Sequence, residues 1–172
     1  MTKIGNNYYD NMEEVDITLL EEFNKQLNWF KQDITATTRG TRHDAEAIDV
    51  KGHKTWMELK KRKETNDTLT KYGDVLIEPS KLAHMTNLMS TSNNKGSGHT
   101  KDEKRLYVNF TADGAIVFDL NKQHTMKYYP NHYHYDPGSK RYVNEDRFGI
   151  PTSEAMMIFK LKGGKYIAEK LS

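Results

Sequence analysis

The chain has 172 residues, a formal net charge of +2 and no cysteine, so disulfide bonds and cysteine-based zinc sites are excluded. Its length predicts one globular domain, residues 1–172, that buries a core; the 35% hydrophobic content is low but includes ten tyrosines, six phenylalanines and two tryptophans. The first residues lack the apolar segment of a signal peptide and no run of about 18 apolar residues occurs, so we expect a cytoplasmic protein with no membrane partner.

Residues 11–32 show the spacing of an amphipathic helix. Apolar residues recur every three or four positions, and acidic residues near the start suit the positive end of a helix dipole. The apolar positions are Val15, Leu19, Leu20, Phe23, Leu27 and Phe30. We therefore expect one long helix with a single face buried against the rest of the domain.

The hydrophobic period changes after this helix. Residues 34–50 are rich in threonine, isoleucine and valine and contain Gly40, which predicts one or two strands with an irregular join. We expect residues 47–50 and residues 54–60 to pair as a hairpin. In this hairpin the apolar residues Ile48 and Val50 would face the core.

The rest of the chain predicts a second helix and several hairpins. The segments are a polar loop at 64–73, a short strand at 74–78, a helix at 80–90, a loop at 91–104, a hairpin at 105–120 and a hairpin at 155–171. Residues 124–148 are rich in tyrosine and histidine and show no clear period. The predicted fold class is α+β with a mixed or antiparallel central sheet.

Two acidic residues and a lysine stand at predicted strand positions. Glu58 and Lys60 share one face of the strand 54–60, because side chains alternate along a strand. Asp49 shares that face if the turn between the strands has an even number of residues, and lies on the opposite face if the number is odd. On one face the two carboxylates would lie within about 7–8 Å of each other and could share Mg²⁺, and Lys60 could orient a water and stabilise charge on a phosphate.

The sequence resembles the PD-(D/E)xK nuclease superfamily in the order of its predicted elements. These are a helix, a strand with aspartate, a turn, a strand with Glu-x-Lys and a second helix. This superfamily includes restriction endonucleases, Holliday-junction resolvases and phage exonucleases. The residues that carry the resemblance are Asp49 in "AIDV" and Glu58 and Lys60 in "MELKK". Ile48 stands where the proline of the motif name would be.

The resemblance implies a fold, a reaction and a cofactor. The fold is an α-β-β-β-α-β core over about residues 11–90, followed by a β-rich extension over about residues 104–172 with C-terminal hairpins. The reaction is the hydrolysis of DNA phosphodiester bonds, with Asp49 and Glu58 binding Mg²⁺ or Mn²⁺ and Lys60 orienting the attacking water. The implied partner is duplex, branched or flap DNA; many such nucleases are homodimers, and a phage-encoded member would act in the host cytoplasm.

The resemblance also implies residues outside the strand pair. Many members place a glutamate on the first helix, which here is Glu22 or Glu21, and a basic or amide residue on the helix after the strands, which here is Lys81. A solvated surface position is the alternative for each of them.

A cluster of basic residues lies next to the motif. The stretch from Lys51 to Lys63 holds six lysines or arginines and a single acid, which favours contact with a polyanion. Lys61, Arg62 and Lys63, together with Arg42 upstream, are the candidates for binding the phosphodiester backbone. A solvated charged face is the alternative.

The tyrosine- and histidine-rich segment leaves several interpretations open. His132 and His134 are spaced as zinc ligands on a strand can be, with His124 and Asp136 nearby. An aromatic surface, or a platform on which unpaired bases stack, is the alternative. For the whole chain, a non-catalytic nucleic-acid-binding protein and a protein-interaction module, such as an inhibitor or assembly factor, remain alternatives to a nuclease.

Overall fold

The computed structural model describes residues 7–31, 34–37, 43–92, 103–136 and 138–169. These residues form an α+β fold. The elements in chain order are α1 (Asn7–Leu27), β1 (Thr35–Ala36), β2 (Ala45–Ile48), β3 (Lys54–Lys61), α2 (Asn66–Tyr72), β4 (Asp74–Ile77), α3 (Pro79–Ser92), β5 (Lys104–Thr111), β6 (Gly114–Asp119), β7 (Lys127–Asp136), β8 (Arg141–Pro151), a 3₁₀ turn (Thr152–Glu154), β9 (Met157–Lys162) and β10 (Lys165–Glu169). Within the described ranges, no helix is both long enough and apolar enough to cross a membrane.

Seven of the described strands form one mixed sheet, in the order β1-β2-β3-β5-β6-β9-β10. The neighbours are antiparallel except for β3 and β5, which run parallel. A parallel pair needs a long crossover connection, and here the crossover contains α2, β4 and α3. The predicted α+β class with a mixed central sheet is therefore confirmed.

A smaller antiparallel sheet, in the order β4-β8-β7, lies outside the central sheet. Its middle strand, β8, pairs with β4 from Phe148 to Pro151 and with β7 over most of its length. The pairing of β7 with β8 shifts between Tyr129 and His132, which marks a bulge. The segment without a clear sequence period is thus a long hairpin.

The core is divided between the two faces of the central sheet. On one face α1 buries Leu20 and Phe23 completely, against Met57 and Leu59 of β3. The ring of Phe23 makes edge-to-face contacts, 4.9–5.9 Å between centroids, with Trp29, Phe110, Phe159 and Tyr166. These contacts make α1 the cover of this face.

The opposite face of the central sheet is covered by α2, α3 and the smaller sheet. Trp56 of β3 and Tyr107 of β5 are buried there against Leu82 and Met85 of α3 and Ile150 of β8. Because side chains alternate along β3, Glu58 projects on the same face as Trp56. The carboxylate singled out in the sequence therefore lies on the side of α3, not on the side of α1.

Helix α1, predicted over residues 11–32, runs from Asn7 to Leu27, and the segment 64–73 is not a loop throughout. Helix α1 ends at Leu27 because Asn28 takes a left-handed conformation with φ 51°, and the side chain of Asn24 then bonds the backbone of Phe30. The predicted loop at 64–73 instead contains helix α2. Thr65 caps its first turn by accepting from the amide of Thr68, and Gly73 ends it with φ 88°.

The other predicted elements agree well with the structure. Strand β3, the strand β4, the helix α3 and the hairpins β5–β6 and β9–β10 lie where the sequence pattern predicts them, within one or two residues at their ends. The predicted loop at 91–104 falls mostly on residues 93–102, which lie outside the described ranges.

A close backbone contact between β6 and β9 gives a test of the fold. A Cβ added to Gly114 would lie 1.8 Å from the carbonyl oxygen of Phe159 and 2.8 Å from Nδ2 of Asn66. We therefore expect Gly114→Ala to lower the free energy of unfolding by about 1–3 kcal/mol or more, because backbone must move. Urea unfolding measures the change. Ala168→Gly, at an exposed position of β10, is the control, and an unchanged midpoint for Gly114→Ala would contradict this contact.

Candidate functional site

The register between β2 and β3 decides which side chains share a face. Ala45 pairs with Met57, and Ile48 pairs with Lys54. Ala45 and Ala47 consequently lie on the side of α1 with Met57, where both are buried. The small residues, rather than the larger apolar ones, thus form the inner face of β2.

Asp44, the residue that precedes β2, lies beside Glu58. Its amide donates to the carbonyl of Met57 at 2.9 Å, and its Oδ2 accepts from the amide of Leu59 at 2.8 Å. These two bonds fix the carboxylate of Asp44 against the backbone of β3 on both sides of Glu58. We call Asp44 and Glu58 the acid pair.

Lys81, in the first turns of α3, joins the two acids. Its Nζ lies 2.9 Å and 3.0 Å from the two carboxylate oxygens of Glu58, and 3.5 Å from Oδ1 of Asp44. The side chain of Glu58 is almost fully buried, and those of Asp44 and Lys81 are partly buried. One ammonium group therefore lies between two carboxylates from two different elements.

The electrostatics of the acid pair favour a proton on Glu58. Burial and, next, the negative charge of Asp44 raise the pKa of Glu58 to about 8, although the ammonium of Lys81 lowers it. Burial lowers the pKa of Lys81, but the charges of Glu58 and Asp44 raise it overall. At neutral pH Glu58 therefore holds a proton, and the ammonium of Lys81 lies beside the carboxylate of Asp44.

The expectation that Asp49 shares the face of Glu58 is wrong. In the observed register Asp49 follows the pair Ile48–Lys54 and lies on the side of Ala45, about 17 Å along the strand from the level of Glu58. The expected inner residues Ile48 and Val50 are instead 41% and 50% exposed. Asp49 and Glu58 therefore cannot bind the same metal ion.

Asp49 organises the turn between β2 and β3. Its Oδ1 accepts from the amides of Lys51, at 2.9 Å, and His53, at 2.8 Å, and its Oδ2 is bound by Lys104 and by Nδ1 of His53. Burial alone would raise the pKa of Asp49, but Lys104 and His53 hold it well below its usual range. The carboxylate also borders a cavity of about 210 Å³. The apolar residues around this cavity are Trp29, Phe30, Val50, Leu106 and Met156.

Three lysines at the end of β3 remain available to a ligand. Lys60 lies on the face of Glu58 by strand alternation, and Lys60, Lys61 and Lys63 are exposed. Among the described residues none of the three has an ion-pair partner. By the same alternation Lys61 projects on the opposite face, so the strand directs Lys60, but not Lys61, to the side of the acid pair.

Arg62, predicted to bind phosphate, points into the protein instead. Its Nε donates to Oδ1 of Asn109 at 3.0 Å, and its Nη2 donates to the hydroxyl of Tyr107 at 2.7 Å and to the carbonyl of Leu76. Burial, more than any other cause, raises the pKa of Tyr107 to about 12. The guanidinium therefore links the end of β3 to β5 and β4, and these bonds turn it away from a phosphate ligand.

A pair of histidines connects the acid pair to α3. Nδ1 of His43 lies 3.1 Å from Nε2 of His84, one turn after Lys81, and Nε2 of His43 lies 2.9 Å from Oε1 of Glu46. Glu46 also pairs with Lys54 at 3.0 Å. This chain of contacts holds the residue before Asp44 against the helix that carries Lys81.

The acid predicted on the first helix is not part of the site. Helix α1 covers the face opposite Glu58. Burial and, next, the charge of Glu22 raise the pKa of Tyr166, which lies on β10 at the far edge of the sheet from β2. Glu22 therefore cannot face a metal held by Glu58, and Glu21 is exposed on the same helix. Arg42 lies outside the described residues.

Asp44 is the site residue that the sequence prediction missed. The signal for it is that Ala45 and Ala47 alternate with the acidic residues Asp44 and Glu46. Two alanines fit an inner strand face packed closely beneath a helix, and this register brings Asp44 to the level of Glu58. Ile48 and Val50 suggested the opposite register because they are larger and more apolar.

The histidines of the β7–β8 hairpin do not form a metal site. Nδ1 of His124 lies 2.9 Å from Glu154, and His132 stacks on His134 with ring centroids 5.8 Å apart. In the part of the chain that the structure describes, no group of three or more histidines and acids is arranged to hold a metal ion. At the acid pair the protein supplies two carboxylates.

Comparison with protein-family models and with curated protein sequences finds no match for this chain. Its function is therefore inferred from the geometry of the acid pair and its neighbours.

The raised pKa of Glu58 predicts how stability depends on pH. Between its ordinary pKa of 4.5 and the folded-state value of about 8, the unfolded chain loses this proton while the folded chain keeps it. The free energy of unfolding should therefore fall as the pH rises through this window, by an amount on the order of a few kcal/mol. Glu58→Gln should flatten this part of the profile in thermal unfolding from pH 4.5 to 9. Glu64→Gln, at an exposed position, should leave it unchanged, and equal slopes for all three proteins would contradict the assignment.

The role of Asp49 in the turn gives a second prediction. Asp49→Ala leaves two partly buried amides and Lys104 without their acceptor, so we expect the free energy of unfolding to fall by about 2–4 kcal/mol. Asp67→Ala removes a largely exposed carboxylate from the first turn of α2 and should cost less than about 1 kcal/mol. Urea unfolding of both variants makes the comparison, and equal costs would argue against the turn role.

Proposed function

We propose that the protein is a metal-dependent nuclease that hydrolyses DNA phosphodiester bonds at the acid pair, with Asp44 in the role that the sequence motif assigned to Asp49. The observation that carries the proposal is that the carboxylate of Glu58 on β3 and that of Asp44, just before β2, converge on one ammonium, at 2.9 Å and 3.5 Å. Lys60 is exposed on the same strand face as Glu58, and Lys61 and Lys63 follow it along the chain. The combination suits a site for a divalent cation and a phosphate.

The donor atoms fit Mg²⁺ or Mn²⁺. Mg²⁺ is commonly bound through one or two carboxylates, with the remaining positions taken by waters and by phosphate oxygens of the substrate. Asp44 and Glu58 would supply those carboxylates. When bound, the ion would lower the pKa of a water and stabilise the negative charge that develops on the phosphate.

The lysines of this site have separable roles. Lys60 projects on the face of Glu58, where its ammonium can orient a water and stabilise the phosphate as its charge increases. Lys81 compensates the negative charge of the acid pair and holds Glu58 in position. Lys61 and Lys63 are exposed beside them and can bind flanking phosphates of the backbone.

The strand order also supports the proposal. Helix α1, the antiparallel strands β1, β2 and β3, and the helix α3 that leads to the parallel strand β5 follow one another as in the α-β-β-β-α-β core implied by the sequence resemblance. Helix α2 and strand β4 would then be an insertion between the third strand and the second core helix. The acid pair would lie where the second and third strands of that core meet.

One observation favours a second function, that of a nucleic-acid-binding protein without catalysis. Lys81 already bridges the acid pair, so its ammonium occupies the position that a divalent cation would otherwise take. A chain that used Lys81 as a permanent counter-ion would keep the lysines for binding but would not need a metal. Cleavage in the presence of a metal distinguishes the two functions.

Cleavage assays with supercoiled, linear and branched DNA in Mg²⁺, Mn²⁺ or EDTA test the proposal. We expect metal-dependent cleavage that falls at least about 100-fold in Asp44→Asn, Glu58→Gln and Lys60→Ala, because each removes a group that acts on the phosphate or its metal. Asp49→Asn should retain cleavage, and Asp67→Asn is the surface control. Metal binding is measured separately, as a rise in melting temperature with Mg²⁺ that is lost in Asp44→Asn and Glu58→Gln.

Two results would overturn the proposal. Cleavage lost in Asp49→Asn but retained in Asp44→Asn would move the site to the other face of the sheet. DNA binding without cleavage in any metal, and without a shift in melting temperature, would support the non-catalytic function.

A further inference from the structure

The hairpin β7–β8 extends beyond the smaller sheet. Strand β8 pairs with β4 only from Phe148 to Pro151, and residues 141–147 pair with β7 alone among the described strands. At the ordinary rise of a strand this part is about 20 Å long. We call residues 131–136 and 138–147 the aromatic arm.

One face of the arm is continuous with the core. Phe148 and Ile150 of β8 pack in the cluster that contains Trp56, which shares the face of Glu58. Side-chain alternation continues this face along β8 through Asn144 to Tyr142, and along β7 through Tyr133 and Tyr135. The described part of this face carries tyrosine, asparagine and aspartate, and no aliphatic side chain.

The tyrosines on this face are exposed and already in contact with one another. Tyr133 is 65% exposed and Tyr142 is 60% exposed. Their rings stack with centroids 4.9 Å apart and an interplanar angle of 14°, and Tyr135 meets Tyr142 edge to face at 5.3 Å. The hairpin therefore presents flat aromatic surfaces to solvent in a fixed arrangement.

Each acid of the arm has a partner within the hairpin. Asp136 accepts from the amides of Gly138 and Ser139, and Glu145 pairs with Arg147 at 2.6 Å. Asp146 accepts from the hydroxyl of Tyr128 at 2.6 Å and from the amide of Asn131 at 3.0 Å.

Two basic residues lie at the tip of the arm. Lys140 and Arg141 are both exposed, and neither has an ion-pair partner among the described residues. Available cations beside exposed aromatic rings are complementary to a strand of nucleic acid, which offers phosphates and the faces of unpaired bases.

The arm also begins close to the acid pair. Arg147, at its base, lies 3.7 Å from Glu78, the residue between β4 and α3. The charge of Glu78 acts on both Glu58 and Lys81. A nucleic acid that contacts the lysines beside Glu58 can therefore also reach the arm.

We propose that the aromatic arm binds a single-stranded segment of the DNA substrate, with unpaired bases stacking on Tyr133 and Tyr142 and phosphates contacting Lys140 and Arg141. This proposal depends on the proposed function, since it assigns the arm to the same substrate. It makes DNA with unpaired regions, such as a flap or a branch, the preferred substrate over continuous duplex. A protein partner is the competing occupant, and the absence of aliphatic residues on the described part of this face favours DNA.

The test measures binding separately from cleavage. Fluorescence anisotropy in EDTA compares the affinity of the full chain for a labelled single-stranded oligonucleotide with its affinity for an abasic strand of equal length, which keeps the phosphates but lacks the bases. We expect Tyr133→Ala and Tyr142→Ala each to weaken binding of the base-containing strand about 5- to 100-fold and to leave binding of the abasic strand unchanged. Tyr133→Phe and Tyr142→Phe keep the rings and should stay within about twofold of wild type.

The matched control is Tyr72→Ala, which removes a tyrosine that is 67% exposed on α2, away from the arm. It should bind both strands as wild type does, and thermal unfolding verifies that every variant is folded. Lys140→Ala with Arg141→Ala should weaken binding of both strands and reduce its salt dependence.

Three results separate this proposal from the nuclease proposal. Unchanged oligonucleotide binding by the alanine variants would overturn it and leave a protein partner as the occupant of the arm. Equal losses for the base-containing and abasic strands would overturn it as well, since stacking would not be involved. If the tyrosine variants lose single-strand binding while the wild type cleaves nothing in any metal, the role of the arm stands and the nuclease proposal fails.

Discussion

The pairing register of two strands, Ala45 opposite Met57, determines what this protein can do. It turns two alanines toward α1 and brings Asp44 to the level of Glu58, so that one face of the sheet is closed by the helix and the other carries both acids. A shift of one residue would exchange these faces and would bury Glu46 beneath α1. The close fit of alanine beneath Leu20 and Phe23 therefore specifies the chemistry of the opposite face as well as the packing of its own.

The acid pair shows how a fold maintains an arrangement that is unfavourable in isolation. Two carboxylates near each other in a partly buried site repel one another, and one lysine compensates only part of their charge. The surrounding contacts hold them in place nonetheless. Backbone amides fix Asp44, the pair of histidines ties its neighbour to α3, and Arg62 joins the strands on the other side. Such contacts fix the geometry of the acid pair.

Much of the fold could be predicted from the sequence because its signals are local. Alternation in β3, the Asp-Gly turn before β6 and the Gly-Gly turn before β10 each determine structure within about ten residues. The face of Glu58 and Lys60 follows from alternation alone. The position of the aspartate could not be obtained this way, since it depends on which residues of β2 fit beneath a helix that begins almost forty residues earlier. Helix α2 was missed for a different reason: its stability comes from a threonine cap and a glycine cap around a polar segment with little periodicity.

The position of β4 inside the crossover has a consequence for how the chain folds. Among the described strands β4 pairs with β8 alone, and the paired residues Val75 and Ile150 are far apart in the sequence. During synthesis β4 cannot pair until β8 has been made. By then β3 can already have paired with β5, and β5 with β6. Pairing between distant segments carries a large entropy cost and forms late in folding. The central sheet can therefore assemble first, and the cover over its acidic face is completed only when the C-terminal hairpins have been made.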